Sequence, residues 1–184
     1  MGVDAVTSRA VFLDRDGVLN RATVRNGKPY PPMSVGALDL FPDAADALMR
    51  LKAAGYRLVV VTNQPDVARG DQQREAVDAI NRKLAGQLPL DEVRVCYHDD
   101  GDGCGCRKPE PGLLLQAPVP DLARSVIVGD RWRDIQAGRR AGLRATILID
   151  HGYDEAIVVE PDVRVRSLAE AADWILQLDA GGST

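Results

Sequence analysis

The chain has 184 residues, with 27 acidic against 23 basic side chains, a net charge of −4, and a 45% hydrophobic share to which aromatics contribute only 4%. Its length suits one domain, and its aliphatic balance suits helices packed on a sheet. No basic footprint suits a nucleic-acid partner, and no apolar run is long enough to span a membrane.

The N-terminus, MGVDAVTSRA, lacks the basic start and long apolar stretch of a signal peptide. Gly2 does not make a myristoylation site, because Val6 stands where Ser or Thr is required. A cytoplasmic setting is therefore expected. Five apolar β-type runs follow along the chain: AVFLD ending at Asp14, RLVVVTN at Asn63, VRVCYH at His98, SVIVGD at Asp130 and ATILID at Asp150. The near-unbroken apolar ones suit central parallel strands covered on both faces.

Helical patterns lie between them. PDAADALMRLKAAG aligns Ala44, Leu48 and Leu51 and ends in Gly55. DQQREAVDAINRKLAG aligns Val77, Ile80 and Leu84, and SLAEAADWIL opens with a Ser167-to-Glu170 capping box. RNGKPYPPMS, rich in Pro and Gly, reads as a loop over the sheet edge; KPYPP within it either lines an entrance or is a rigid loop. In GLLLQAPVPDLARS, Pro118 and Pro120 curtail the helix expected there. The alternation predicts a doubly wound α/β domain over residues 1–178, with 179–184 as a frayed tail. Such sheets bind ligands at the C-terminal ends of their strands.

The first strand ends in FLDRDGVLN. Residues two apart on an extended segment face the same way, so Asp14 and Asp16 aim at one point. Paired carboxylates repel unless a cation or a proton sits between them. Asp-x-Asp-Gly alone is equally a turn. Other strand ends add Thr62 and Asn63, then Asp130 and, one helical turn on, Asp134. Asp14, Asp16 and Asp130 make a hard oxygen site for magnesium; Thr62, Asn63 and Lys108 suit a phosphoryl group.

All three cysteines fall in CYHDDGDGCGCRKPEPG. Cys96, His98, Cys104 and Cys106 form a four-ligand set for a structural zinc within a loop spanning residues 96–106. Four protein ligands leave no open position, so this zinc would not be catalytic. It would instead stiffen the loop that delivers Arg107 and Lys108, since a mobile cation clamps phosphate poorly.

FLDRDGVLN, VVVTNQ, CRKPEPG and GDRWRDIQAG resemble the four ordered motifs of the haloacid dehalogenase superfamily, and closely its capless sugar-phosphate and histidinol-phosphate phosphatase branch. The likeness runs from about Arg9 to Tyr153. It implies a three-layer sandwich without a large cap domain and a magnesium-dependent phosphatase. Carried over, Asp14 is the nucleophile that forms an aspartyl-phosphate, and Asp16 the general acid and base. Thr62 and Lys108 steady the transferring phosphoryl. Magnesium is held by Asp14, Asp130 and the Asp16 backbone carbonyl. Asp134 is either a ligand through water or a helix-orienting acid.

Arg15, Asn63, Gln64, Arg107, Arg131 and Arg69 are the substrate-binding candidates. Arg69 meets a distal phosphate or is a solvated loop charge. The chain departs from the pattern at Pro65, where a small residue is common, and at Arg131, where Lys is more frequent. His151 and Trp132 are read as packing or surface residues. The zinc loop is similar to that of heptose-bisphosphate and histidinol-phosphate phosphatases alike, so its spacing does not choose between them. The expected substrate is a small phosphorylated metabolite: D-glycero-D-manno-heptose 1,7-bisphosphate first, histidinol phosphate second. No nucleic acid, no membrane and a monomer are expected. The competing reading from another class is a silent, zinc-stabilised phosphate-binding module.

Overall fold

A computed structural model of the chain describes residues 8–116, 118 and 120–181. The N-terminal stretch with Gly2 and Val6 lies outside the described residues, as do residues 182–184.

Six strands form one parallel sheet: β1 (Ala10–Leu13), β4 (Arg57–Asn63), β5 (Glu92–Cys96), β6 (Val126–Gly129), β7 (Ala145–Ile149) and β8 (Val163–Val165). Their order across the sheet is β5-β4-β1-β6-β7-β8, and every neighbouring pair is parallel. The five apolar runs each supply one strand. β8 was not among them: it is three residues long, and only one of these is buried.

Alternation along the strands divides the core. Val11 and Leu13, Leu58 and Val60, and Val126 and Val128 face one way, against α1 (Ala44–Ala53), α3 (Arg74–Gln87) and α5 (Leu168–Gly181). Ala10, Phe12, Val59, Val61 and Ile127 face the other way, against α4 (Trp132–Ala141) and Leu113–Leu114. This period-two division is the pattern of a strand covered on both faces. Between Arg107 and Arg124 the described residues form turns and a short 3₁₀ segment rather than an α-helix.

Two expectations need correction. RNGKPYPPMS is not simply a loop: β2 (Thr23–Arg25) and β3 (Lys28–Tyr30) form an antiparallel hairpin. Asn26 and Gly27 between them have φ of 51° and 72°, the left-handed pair that a tight two-residue turn demands. The tail expected from 179 is also helical as far as Gly181. Asp179 is held there by Tyr56, Arg9 and Arg144, which explains why this end does not fray. The hairpin is the only excursion between β1 and α1 that forms strands, so no large cap domain interrupts the described residues.

Candidate active site

The site lies where β1, β4 and β6 end, beside the loop after β5. After Leu13 the chain leaves the sheet through Asp14, then turns at Gly17, whose φ is +84°. A Cβ on Gly17 would sit 1.9 Å from Asp130 Oδ2. Only glycine lets the β1 loop approach the end of β6 this closely.

Lys108 is the centre of the charge arrangement. Its ammonium is buried, 3.0 Å from Asp14 Oδ1 and 2.5 Å from Asp134 Oδ1, and it donates to the Val61 carbonyl at 2.7 Å. Burial lowers its pKa, but the carboxylates of Asp134 and Asp14 more than offset this, and the net shift is upward. Asn63 grips the backbone of the same residue: its Nδ2 donates to Lys108 O at 2.9 Å, and its Oδ1 accepts from Lys108 N at 3.1 Å.

Asp14 Oδ1 also accepts from the Arg15 backbone N–H at 2.8 Å. Burial pushes the Asp14 carboxyl up to about 6 despite Lys108, with Asp134 and Asp16 adding to the rise. Asp130 is pushed well above the usual carboxylate range, by burial first and then by Asp14 and Asp134. Both Asp130 oxygens are buried without a hydrogen-bond partner. A buried carboxylate left without donors is costly unless a cation or proton meets it. Oxygens of Asp14, Asp130 and Asp134 lie within 4.8 Å of one another, a hard-donor set that fits magnesium.

The two roles considered for Asp134 can be compared by its bonds. One oxygen takes the Lys108 ammonium and the other accepts from the Arg131 backbone N–H at 3.1 Å, in the first turn of α4. Asp134 is thus already supplied with donors, whereas Asp130 has none in hydrogen-bond range and is eased by the neighbouring Tyr153 hydroxyl and Arg131 charge. The Asp16 carboxylate, outside this group of three, is held by four other donors. Its Oδ1 accepts from Arg15 Nε and Asn20 Nδ2, and its Oδ2 from Arg15 Nη2 and Gln64 Nε2, at 2.9 to 3.1 Å.

A cleft of about 260 Å³ opens over these groups. Asp14, Asp16, Asn63, Lys108, Asp130 and Asp134 line its floor; Arg69, Arg107, Arg131, Arg133 and Lys28 line its walls. Lys28, Pro29 and Tyr30 of β3 and the following Pro31 line the cleft. Arg15, Gln64 and Thr62 are buried and are not among the residues that line the cleft. Arg15 binds Asp16 and Asn81, while Gln64 binds Asp16 and Thr62 Oγ1. They form the layer behind the floor.

The cysteine loop brings its four candidate ligands together. Cys96 Sγ is 3.7 Å from Cys104 Sγ and 3.1 Å from Cys106 Sγ, and His98 Nδ1 is 3.5 and 3.3 Å from Cys96 and Cys106. These separations are close to the roughly 3.7 Å edge of a tetrahedron with zinc–sulfur bonds of about 2.3 Å. Burial raises the Cys96 thiol pKa, with hydrogen bonding to Cys106 adding to it; a bound cation would hold it as thiolate. The loop's acids also arrange the cleft wall. Asp99 takes Arg69 at 2.9 and 2.6 Å, and Asp100 takes Arg107 at 2.8 Å and Arg133 at 3.1 Å.

Arg131 pairs with Glu155, which also accepts from Trp132 Nε1. His151 donates from Nε2 to the Gly17 carbonyl at 2.7 Å and stacks on Phe41, so its part is to pack against the β1 loop. Asn20, Arg133 and Lys28 fall within FLDRDGVLN, GDRWRDIQAG and KPYPP but carry no site signal of their own there; Asn81 lies in no motif, and its partner Arg15 is 66 residues away.

A family model described as haloacid dehalogenase-like hydrolase matches residues 21–142. The chain belongs to the haloacid dehalogenase-like hydrolases. A Pasteurella multocida protein named D-glycero-beta-D-manno-heptose-1,7-bisphosphate 7-phosphatase is 37% identical over 158 residues, covering 78% of this chain and 83% of its own. A Mycobacterium tuberculosis protein named D-glycero-alpha-D-manno-heptose-1,7-bisphosphate 7-phosphatase is 37% identical over 148 residues, covering 73% and 74%. The crystal structure of D,D-heptose 1.7-bisphosphate phosphatase from B. bronchiseptica, complexed with magnesium and phosphate, matches with a TM-score of 0.75 at 32% identity, over 92% of this chain and 99% of that one. No helix among the described residues is long and apolar enough to cross a membrane.

Proposed function

We propose that this hydrolase is a magnesium-dependent phosphomonoesterase that removes the 7-phosphate of D-glycero-D-manno-heptose 1,7-bisphosphate. One observation carries the reading: the buried Lys108 ammonium and the Asp130 carboxylate, its oxygens without a hydrogen-bond partner, flank Asp14 in a cleft that four arginines also line. The floor suits a reacting phosphoryl group. The wall suits a second phosphate, with Arg107 Nη1 buried and without a partner. Relatives and a structural neighbour named for heptose bisphosphates support the same substrate.

Asp14 attacks phosphorus in line, forming an Asp14 Oδ–phosphorus bond as the bond to the sugar oxygen breaks. That oxygen leaves with the electron pair and takes a proton from Asp16. Asp16, now a carboxylate, takes a proton from water as the water attacks phosphorus, which frees Asp14 and releases inorganic phosphate. Lys108 balances the charge on the transferring group. Asp14, Asp130 and the Asp16 carbonyl would hold magnesium, with Asp134 orienting them; the ion supplies charge neutralisation at the phosphoryl oxygens. Cys96, His98, Cys104 and Cys106 would hold a structural zinc.

The chain is read as a cytoplasmic monomer; its free thiols are grouped for a metal, which suits a reducing compartment. Histidinol phosphate has one phosphate and an amine, so it leaves the second cation group without an anion. A screen comparing kcat/KM for both heptose bisphosphate anomers, histidinol phosphate and monophosphate sugars tests the assignment. Heptose bisphosphate should lead; preference for histidinol phosphate would overturn it.

A further inference from the structure

The buried face of α3 carries Val77, Ile80 and Leu84, yet it also buries Asn81. An amide in that position needs a partner, and it has one in the β1 loop: Asn81 Oδ1 accepts from Arg15 Nη1 at 2.9 Å. Arg15 is fully buried. Its other two nitrogens take both oxygens of Asp16, from Nε at 3.1 Å and from Nη2 at 3.0 Å.

We propose that Asn81 is a positioning residue for proton delivery by Asp16, acting through the Arg15 guanidinium. Each Asp16 oxygen accepts one bond from Arg15 and one from a neutral amide, Asn20 or Gln64. To carry a proton to a leaving group, Asp16 must release one donor. The amides can rotate. Arg15 cannot, because its planar fork is buried and Asn81 closes its far side. Arg15 therefore sets the plane of the carboxylate while the amides exchange, and Asn81 sets the plane of Arg15. Asp16 reaches the cleft with a side chain 17% exposed, so its orientation is what the leaving group meets.

The inference rests on the phosphatase reading, and leaving-group chemistry separates the two. Nitrophenolate departs without a proton; a sugar alkoxide needs one. The wild type, Asn81→Leu, Asn81→Ser and Asn81→Asp are compared on p-nitrophenyl phosphate and heptose 1,7-bisphosphate with saturating magnesium, with thermal unfolding as a check on folding. Loss of the acceptor should lower kcat on the sugar ester at least about tenfold more than on the aryl ester, a fraction of the ~10²–10⁴ that a general acid supplies, with KM little changed. Asn81→Asp keeps an acceptor for Arg15 and should restore the ratio. Asn81→Ser stands in if the leucine variant does not fold. An active wild type whose ester ratio is unmoved by the Leu and Ser changes, or an Asp variant as impaired as they are, overturns this inference alone. A wild type inactive on both esters overturns the phosphatase reading and this inference with it.

Discussion

Asn63 and Lys108, 45 residues apart in sequence, hold each other by two reciprocal hydrogen bonds, the amide of one closing on the backbone of the other. The end of β4 is thereby tied to the residue that follows the cysteine loop. The ammonium projects from a root held to the sheet by Asn63, and a metal in the cysteine loop would fix its other side. Replacing Asn63 with Leu removes both bonds. The expected loss is about 2 kcal/mol of stability and roughly 10–100-fold in kcat/KM, since small displacements of a charge at a reacting centre are amplified. Denaturant unfolding and steady-state kinetics on the same variant check both.

The cysteine loop should govern activity without touching substrate. Purified protein should contain about one zinc per chain. Cys106→Ser should lose it, lower Tm by several degrees and depress turnover even at saturating magnesium, because Asp99 and Asp100 would no longer hold Arg69, Arg107 and Arg133 in place. Metal analysis alongside activity measures this. Full activity in zinc-free protein would contradict it.

Asp14 titrates near 6, raised from an ordinary value of 3.8 chiefly by burial. Between these values the folded chain binds more protons than the unfolded one, so metal-free protein should lose stability as pH rises through that window. The shift corresponds to about 3 kcal/mol, fully present above pH 6. A cation at Asp14 and Asp130 removes that penalty. Magnesium should therefore raise Tm more at pH 7 than at pH 5, as thermal unfolding with and without chelator would record.

Gly17→Ala should damage the metal site from the backbone outward. Its φ of +84° disfavours any side chain, and the new Cβ would meet Asp130 Oδ2 at 1.9 Å. Strain of about 1–3 kcal/mol is expected, and Asp130 must move. Weaker magnesium activation than in the wild type, read from titration of activity with magnesium, is the expected result.

The parallel sheet was legible because its strands are apolar runs that need cover on both faces, and each run ends on a residue that reaches the site or its flank. Asp14, Asn63 and Asp130 could be found that way. β8 could not, because three residues at a sheet edge carry almost no pattern. The hairpin was hidden by Pro and Gly, although Asn26-Gly27 between Val24 and Pro29 is itself a hairpin signal. Strand-end position and motif resemblance marked Arg15 and Gln64 as substrate contacts and Thr62 as a phosphoryl-steadying residue. All three are buried, and two of the bonds that hold them, Arg15 to Asn81 and Gln64 to Asp16, join segments that only folding brings together. Asp134 was undecided in sequence for a similar reason. Its role depends on the Lys108 ammonium, 26 residues away.

The most direct test of the account is phosphate release from heptose 1,7-bisphosphate by the wild type and by Asp14→Asn, each with magnesium and with chelator. Magnesium-dependent release from C7 should fall at least about 10³-fold in the variant, as when a nucleophile is removed. Turnover that survives in Asp14→Asn, or that proceeds unchanged in chelator, would contradict it.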